Sequence, residues 1–430
     1  MRLGISIDVY PSNLKTLVFD DSFDEPILLP NGLKNVIFGC DYDQDTIFPE
    51  SIESITFGCD YNRYTKLPRS LKTVIFGVNY NQLTELPKSV VSVHFGLSYN
   101  QPTTFHSGIK RIIFESSFNY HLVLPEGIEV IDFGFSYNQP TILPKSIKSV
   151  TFGSKYNQLT ELHQGIIDIT FGDCYNQITK LPEGLETIIF GFSYNQVTSF
   201  PQSVKKIHFD KSYNQPTFLH MGLQDVKFGH DFKYQVNLPD GLKRVVFCYN
   251  YDKPVKLPNG IEILELGDSE TPFILPDSTK RVSFGKKYNH LTFFPDGIED
   301  ITFGSDYNQT TNLPKNIKNV KFGHYYNQPT ILPDSTEYVV FGHFYNHPTI
   351  LPSKIKRAVF GYSYNQPTVI SEGVKIIIFD VDFNQPIKLP RGVEKIIFKR
   401  RGEIKIPIYI QEGEDVKIFP RDKKYNIIVY

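Results

Sequence analysis

One pattern of apolar and polar positions recurs along the chain: an apolar residue, two variable residues, a second apolar residue, one more variable residue, then Phe. In the stretch Leu143 to Thr160 (LPKSIKSVTFGSKYNQLT) Ile147, Val150 and Phe152 hold these places. Val150 and Phe152 are two residues apart, so on a strand they share a face, with Ile147 entering from the preceding bend. A β-branched run with Pro ahead of it and Gly behind it predicts one short strand. The Phe recurs at a constant period from Phe19, Phe38 and Phe57 to Phe247, and Leu266 takes the next place. After a one-residue deletion the series runs on from Phe284 to Phe398. That makes 21 copies, 20 of them with Phe. Self-similarity at a fixed period is the signature of a solenoid, in which each unit packs on its neighbours. The prediction is an all-β solenoid of about 21 repeats, each about 19 residues long with one parallel strand, and a column of Phe inside. So short a repeat has no room for a strand, two corners and a helix. Little helix is expected, and an extended or polyproline-like back.

The rest of each copy is as regular. An aromatic residue lies four after the Phe in 19 of 21 copies, Asn follows it in 15, and Pro stands eight before the Phe in 17. Asn in a turn can bond the backbone of its own coil and of the next, so stacked copies form a ladder. The aromatic is expected to cap the end of the core or to stack along its edge. The whole of 1–430 reads as a single repeat domain: an N-terminal cap strand over 1–10, repeats over 11–398, and a C-terminal cap over 399–430. The repeat is irregular at 266–276, where Gly267 to Pro272 lacks both the aromatic and the Asn. That stretch predicts either a kink between two arms or a neutral defect.

Charge narrows the function. With 45 Lys+Arg against 46 Asp+Glu, the net charge of −1 argues against a basic groove for nucleic acid or a membrane-surface patch. No run approaches the ~20 apolar residues that span a bilayer, and Met1 to Tyr10 has no signal-peptide core. The expected location is the cytoplasm. Four Cys do not make a disulfide framework. Cys40 and Cys59 share a phase in consecutive copies, and free thiols are expected.

Candidate chemistry is sparse. His106, His163 and His220 replace the repeat Pro in every third copy. Three rungs span roughly 14 Å, too far for one metal ion whose ligands lie at ~2 Å. His324 and His343 share a phase in adjacent copies but lack a third ligand. No recurring carboxylate pair, G-x-S-x-G, P-loop or C-x-x-C spacing is present. The sequon Asn308-Gln309-Thr310 is one of fifteen equivalent Asn positions and reads as accidental. The expectation is no catalytic residue, no cofactor and no metal, hence no enzyme. The outward strand position before each Phe is more informative. Val18, Ile37, Ile75, Ile113, Val340, Val359, Ile378 and Ile397 form its most apolar stretches. They serve strand propensity alone, or they are an exposed docking stripe.

The motif F-G-x-x-[YF]-N-Q, preceded by L-P-x-[SG]-[IVL]-[KE], resembles the FNIP repeat, a relative of leucine-rich repeats known from social amoebae and giant viruses of amoebae. Phe95-Gly96-Leu97-Ser98-Tyr99-Asn100-Gln101-Pro102 and Phe379-Asp380-Val381-Asp382-Phe383-Asn384-Gln385-Pro386 carry it. The resemblance extends from about Pro11 to Phe398 and implies a right-handed coil like that of leucine-rich repeats. The copies are shorter than is usual in the family, which implies a tighter coil. Family members often carry an F-box ahead of the repeats. Here the repeat phase starts at Pro11, so that role is not carried over. The expected function is a non-catalytic scaffold offering its sheet face to a protein partner. The alternative is self-association as a building block of a fibre or layer, for example on a virus particle.

Overall fold

A computed structural model of the chain describes residues 10–248, 250–268 and 272–399, with the backbone of 2–3, 408–412, 415–418 and 426–429. Most of the two expected caps, over 1–10 and 399–430, lies outside the described residues. The chain divides into two compact units, Met1–Thr217 and Phe218–Tyr430. Each is a parallel β-solenoid. In the first unit, strands from Thr16–Phe19 to Lys206–His208 each pair in parallel with the next. Arg2–Leu3 pairs with the first of them. The second unit repeats the arrangement from Asp225–Lys227 to Lys395–Phe398, and Asn426–Val429 adds a further parallel strand. Equivalent residues pair directly, as in Ser149↔Asp168 and Val150↔Ile169. The deletion near Leu266 leaves the ladder intact, since Glu265 pairs directly with Ser283. Among the described residues there is no helix.

The strands are three or four residues long because only the segment before the Phe alternates cleanly. Val150 and Phe152 are buried between half-exposed Ser149 and Thr151. Successive Phe rings stack almost parallel, with Phe152 and Phe171 at 5.4 Å and 7°. Each buried Phe contributes about 1.5–3 kcal/mol.

The aromatic four residues later departs from expectation: it is an interior residue, not an end cap. Tyr156 is fully buried, lies 4.2 Å from the Phe152 ring of its own coil and stacks on Tyr175 of the next at 6.2 Å. The core is therefore a double aromatic spine. A buried phenol needs a partner, and the Thr four residues on supplies it. Tyr80 Oη and Thr84 Oγ1 are 2.8 Å apart, and Thr84 donates onward to the Gln82 carbonyl at 2.9 Å. Burial pushes the phenols of Tyr61, Tyr156 and Tyr213 up to about 12. At the irregular turn, Phe273 stacks on Tyr288 at 5.5 Å and so replaces the aromatic that the turn lacks.

Among the described residues, the back of the coil carries no strand pairing in the first unit but does in the second. In the second unit Thr349–Leu351 pairs in parallel with Thr368–Ile370, and Ile387–Leu389 with Ile408–Glu412. The latter strand continues antiparallel to Asp415–Ile418. One cause is visible at Ser371, which stands where most copies have Pro. Its N–H, a donor that Pro lacks, bonds the Leu351 carbonyl at 3.2 Å.

The Gly that follows the Phe position in 15 of the 21 copies has a steric role. A Cβ on Gly153 would sit 1.4 Å from the carbonyl oxygen of Gly134 in the preceding coil. There the turns stack backbone on backbone, and the absence of a Cβ permits that approach.

Candidate functional site

The polar turn residues are largely consumed in holding coils together. Asn157 Oδ1 accepts the N–H of Asn176, and Gln177 Nε2 donates to both the carbonyl and the side-chain oxygen of Asn157. The first unit runs this ladder from Asp24 to Asn214. A second ladder, which sequence reading missed, lies four residues before the Phe and alternates in charge. Glu53 sits between Lys34 at 2.6 Å and Lys72 at 2.7 Å, and Glu129 between Lys110 and Lys148. Both lysines hold the Glu53 carboxyl down at about 2. In the second unit Glu262 lies between Lys243 and Lys280. Such exposed pairs stabilise weakly. The signal was present as Lys and Glu alternating from copy to copy at one phase of the repeat.

The histidines singled out by the sequence do not converge. His106, His163 and His220 each accept the N–H of the Gly two residues on, at 3.1, 3.1 and 3.2 Å. This bond leaves Nδ1 as the acceptor and places each ring in the turn as a structural substitute for Pro. His324 and His343 stack at 4.7 Å, and His343 also stacks on Tyr362 at 4.9 Å. Among the described residues no group of three His, Cys, Asp or Glu is placed to hold a metal, and no helix is long and apolar enough to cross a membrane.

Two surfaces remain. The strand face brings the predicted residues into rows. Val18 pairs with Ile37, and Val340, Val359, Ile378 and Ile397 follow one another in register. Ile75 and Ile113 flank His94. Ile37 is 39% exposed, Ile378 is 5% exposed, and the other six are half-buried. The row is also interrupted by charge. His94 Nε2 meets Glu115 Oε1 at 2.9 Å, and burial raises the carboxyl of nearby Asp132. In the second unit Arg244 reaches Asp225 at 3.3 Å and Glu265 at 3.0 Å.

The coil back exposes far more apolar surface, and the sequence reading passed over it. In Thr141-Ile142-Leu143 the outer two residues are buried and Ile142 is 89% exposed. Five consecutive coils of the first unit each present such a residue: Val123, Ile142, Leu159 (73%), Ile178 (76%) and Val197 (69%). These side chains stand seven or nine residues after the Phe, two apart on extended chain, and so share a face. In the second unit Ile331, Ile350 and Val369 repeat the feature in three consecutive coils. The period-two alternation of Thr-x-Leu would have revealed it.

The fold defines a class, the parallel β-solenoid built like a leucine-rich repeat. The FNIP repeat model matches residues 5–41, 61–98 and 307–344, so the chain carries FNIP repeats in both units. Two solved structures are similar in fold. One is CroV588, described as a novel circular LRR protein, 24% identical over 100% of this chain and 84% of its own, with a TM-score of 0.57. The other is YopM from Yersinia enterocolitica WA-314, 12% identical over 96% and 91%, with a TM-score of 0.54. Comparison with curated proteins gives no match.

Proposed function

We propose that this protein is a non-catalytic scaffold that binds a protein partner through its apolar surface rows. LRR-like solenoids generally mediate protein interactions. The observation that carries the reading is the band of exposed aliphatic side chains on five consecutive coil backs, Val123 to Val197. Contiguous exposed apolar surface on this scale marks an interface. The band is chosen over the strand-face stripe because its side chains are exposed and uninterrupted by ion pairs.

Affinity purification tests this with two triple variants. Leu159→Lys, Ile178→Lys and Val197→Lys together break the band at three of its five coils; Ile37→Lys, Ile75→Lys and Ile113→Lys together alter the strand face. Loss of one defined partner with the first variant alone supports the band, and loss with the second alone moves the site to the strand face. An unchanged partner set with both variants overturns the reading. Light scattering on the purified chain distinguishes self-association, since a monomer disfavours the building-block alternative.

A further inference from the structure

Cys40 and Cys59 occupy the same phase of consecutive coils, two residues after Phe38 and Phe57. The coils are held in register on both sides of the pair: Phe38 and Phe57 rings lie 5.9 Å apart, and Tyr42 and Tyr61 rings 6.3 Å apart. Between them the turn backbones are bonded directly. Asp60 N–H donates to the Cys40 carbonyl at 2.9 Å, and Asn79 N–H to the Cys59 carbonyl at 2.8 Å. Gly58 permits the close approach, since a Cβ there would stand 3.1 Å from Cys40 Cα. Neighbouring rungs lie about 4.8 Å apart, inside the Cα separation of roughly 4.4–6.8 Å that a disulfide spans. Both thiols are free and partly exposed.

We propose that Cys40 and Cys59 form an oxidation site, closed by hydrogen peroxide into a disulfide that staples two coils of the first unit. The Cys40 thiolate attacks the peroxide oxygen, breaking the O–O bond and giving a sulfenic acid and hydroxide. The Cys59 thiolate then attacks the sulfenic sulfur, forms the S–S bond and expels a second hydroxide. With the two thiol protons these leave as two waters. The sulfurs together lose two electrons and the peroxide gains them. The two roles are interchangeable, since either sulfur can be oxidised first and the other then resolves it. The other two cysteines, Cys174 and Cys248, have no Cys at their phase in a neighbouring coil and serve as internal controls. Coils in a solenoid open locally, and a covalent link suppresses opening of the pair it joins.

The test treats the purified full chain with hydrogen peroxide, followed by peptide mapping under non-reducing conditions. The expected result is a cross-linked peptide joining Cys40 to Cys59 within one chain, reversed by a thiol reductant. Amide exchange over residues 38–61 is expected to slow by at least about tenfold. A variant with Cys174→Ser and Cys248→Ser retains both effects. Cys59→Ser stops the reaction at the sulfenic acid of Cys40, trapped by dimedone. Four thiols that oxidise independently to sulfinic acids, or a disulfide between chains, would overturn the proposal.

Discussion

The side-chain oxygen of Asn157 accepts the backbone N–H of Asn176, one coil further on, at 3.0 Å. Asn157 donates its own N–H to Asn138 Oδ1, also at 3.0 Å. A side chain thus does between coils what a backbone carbonyl does between strands. The requirement is for an acceptor oxygen, not for an amide, and Asp24 and Asp43 fill the same role at the start of the ladder.

Asn157→Ala should therefore destabilise by about 1 kcal/mol, the net worth of an ordinary hydrogen bond. Asn157→Asp should cost less, because it keeps the acceptor. Urea denaturation of both variants measures the difference; an Asp variant as weak as the Ala variant contradicts the acceptor argument.

Gly153→Ala tests the turn stacking. Its Cβ would meet the Gly134 carbonyl, so either turn must move. The expected loss is at least ~1 kcal/mol, as for overpacking generally. The same substitution at Gly32, where a Cβ meets nothing within 4 Å, isolates the other cost, that of a left-handed φ of +91°. Thermal unfolding of the two variants compares clash with strain.

The Glu53 ion pairs set an acid response. Its folded value lies at about 2, below the ordinary 4.5. A depressed carboxyl contributes stability that is complete above the unfolded value and is lost as pH falls towards the folded one. Wild type and Glu53→Gln should therefore differ near neutrality and converge between about pH 4.5 and 2. Melting temperatures across that range check it, and a difference that persists at the acid end would refute the assignment.

The tyrosine column sets an alkaline response of opposite sign. Tyr61, Tyr156, Tyr213 and Tyr345 have folded values raised to about 12 from 10.0. Their contribution is whole below pH 10 and is lost as pH rises towards 12. Circular dichroism should show cooperative unfolding in that interval. Tyrosinate absorbance should rise with the unfolding, since burial of the neutral phenol is what holds ionisation back.

The band on the coil backs should be dispensable for folding. Ile178→Lys exchanges one exposed side chain for another and is expected to change stability by no more than ~0.5 kcal/mol, whereas Ile169→Ala in the strand interior should cost about 2–5 kcal/mol. Urea denaturation distinguishes them; a severe loss with Ile178→Lys would mean that the residue is buried.

The strand before each Phe was legible from two positions, because Val150 and Phe152 share a face only if the backbone is extended. The Asn ladder was legible from the recurrence of one residue type at one phase. The role of Tyr156 was not, since an amphipathic side chain four residues past the strand suits an edge as well as an interior. Its stacking between Phe152 and Tyr175, with Thr160 meeting the hydroxyl, places the ring inside. The site suffered from the same limit: strand alternation drew attention to Ile37 and Ile378, while the more exposed Ile142 and Ile178 lay in the back.

Periodicity in the amino-acid order determined that the chain makes one coil per repeat, that its strands are parallel and in register, and which residues form the Phe column. These follow from local side-chain direction and repetition, which need no knowledge of distant contacts. The tertiary structure decided how the two aromatic columns interleave, where Ser371 lets a second sheet form, and which apolar side chains face water. Those outcomes depend on what stands one coil away in space, and a single repeat read by itself does not contain that information.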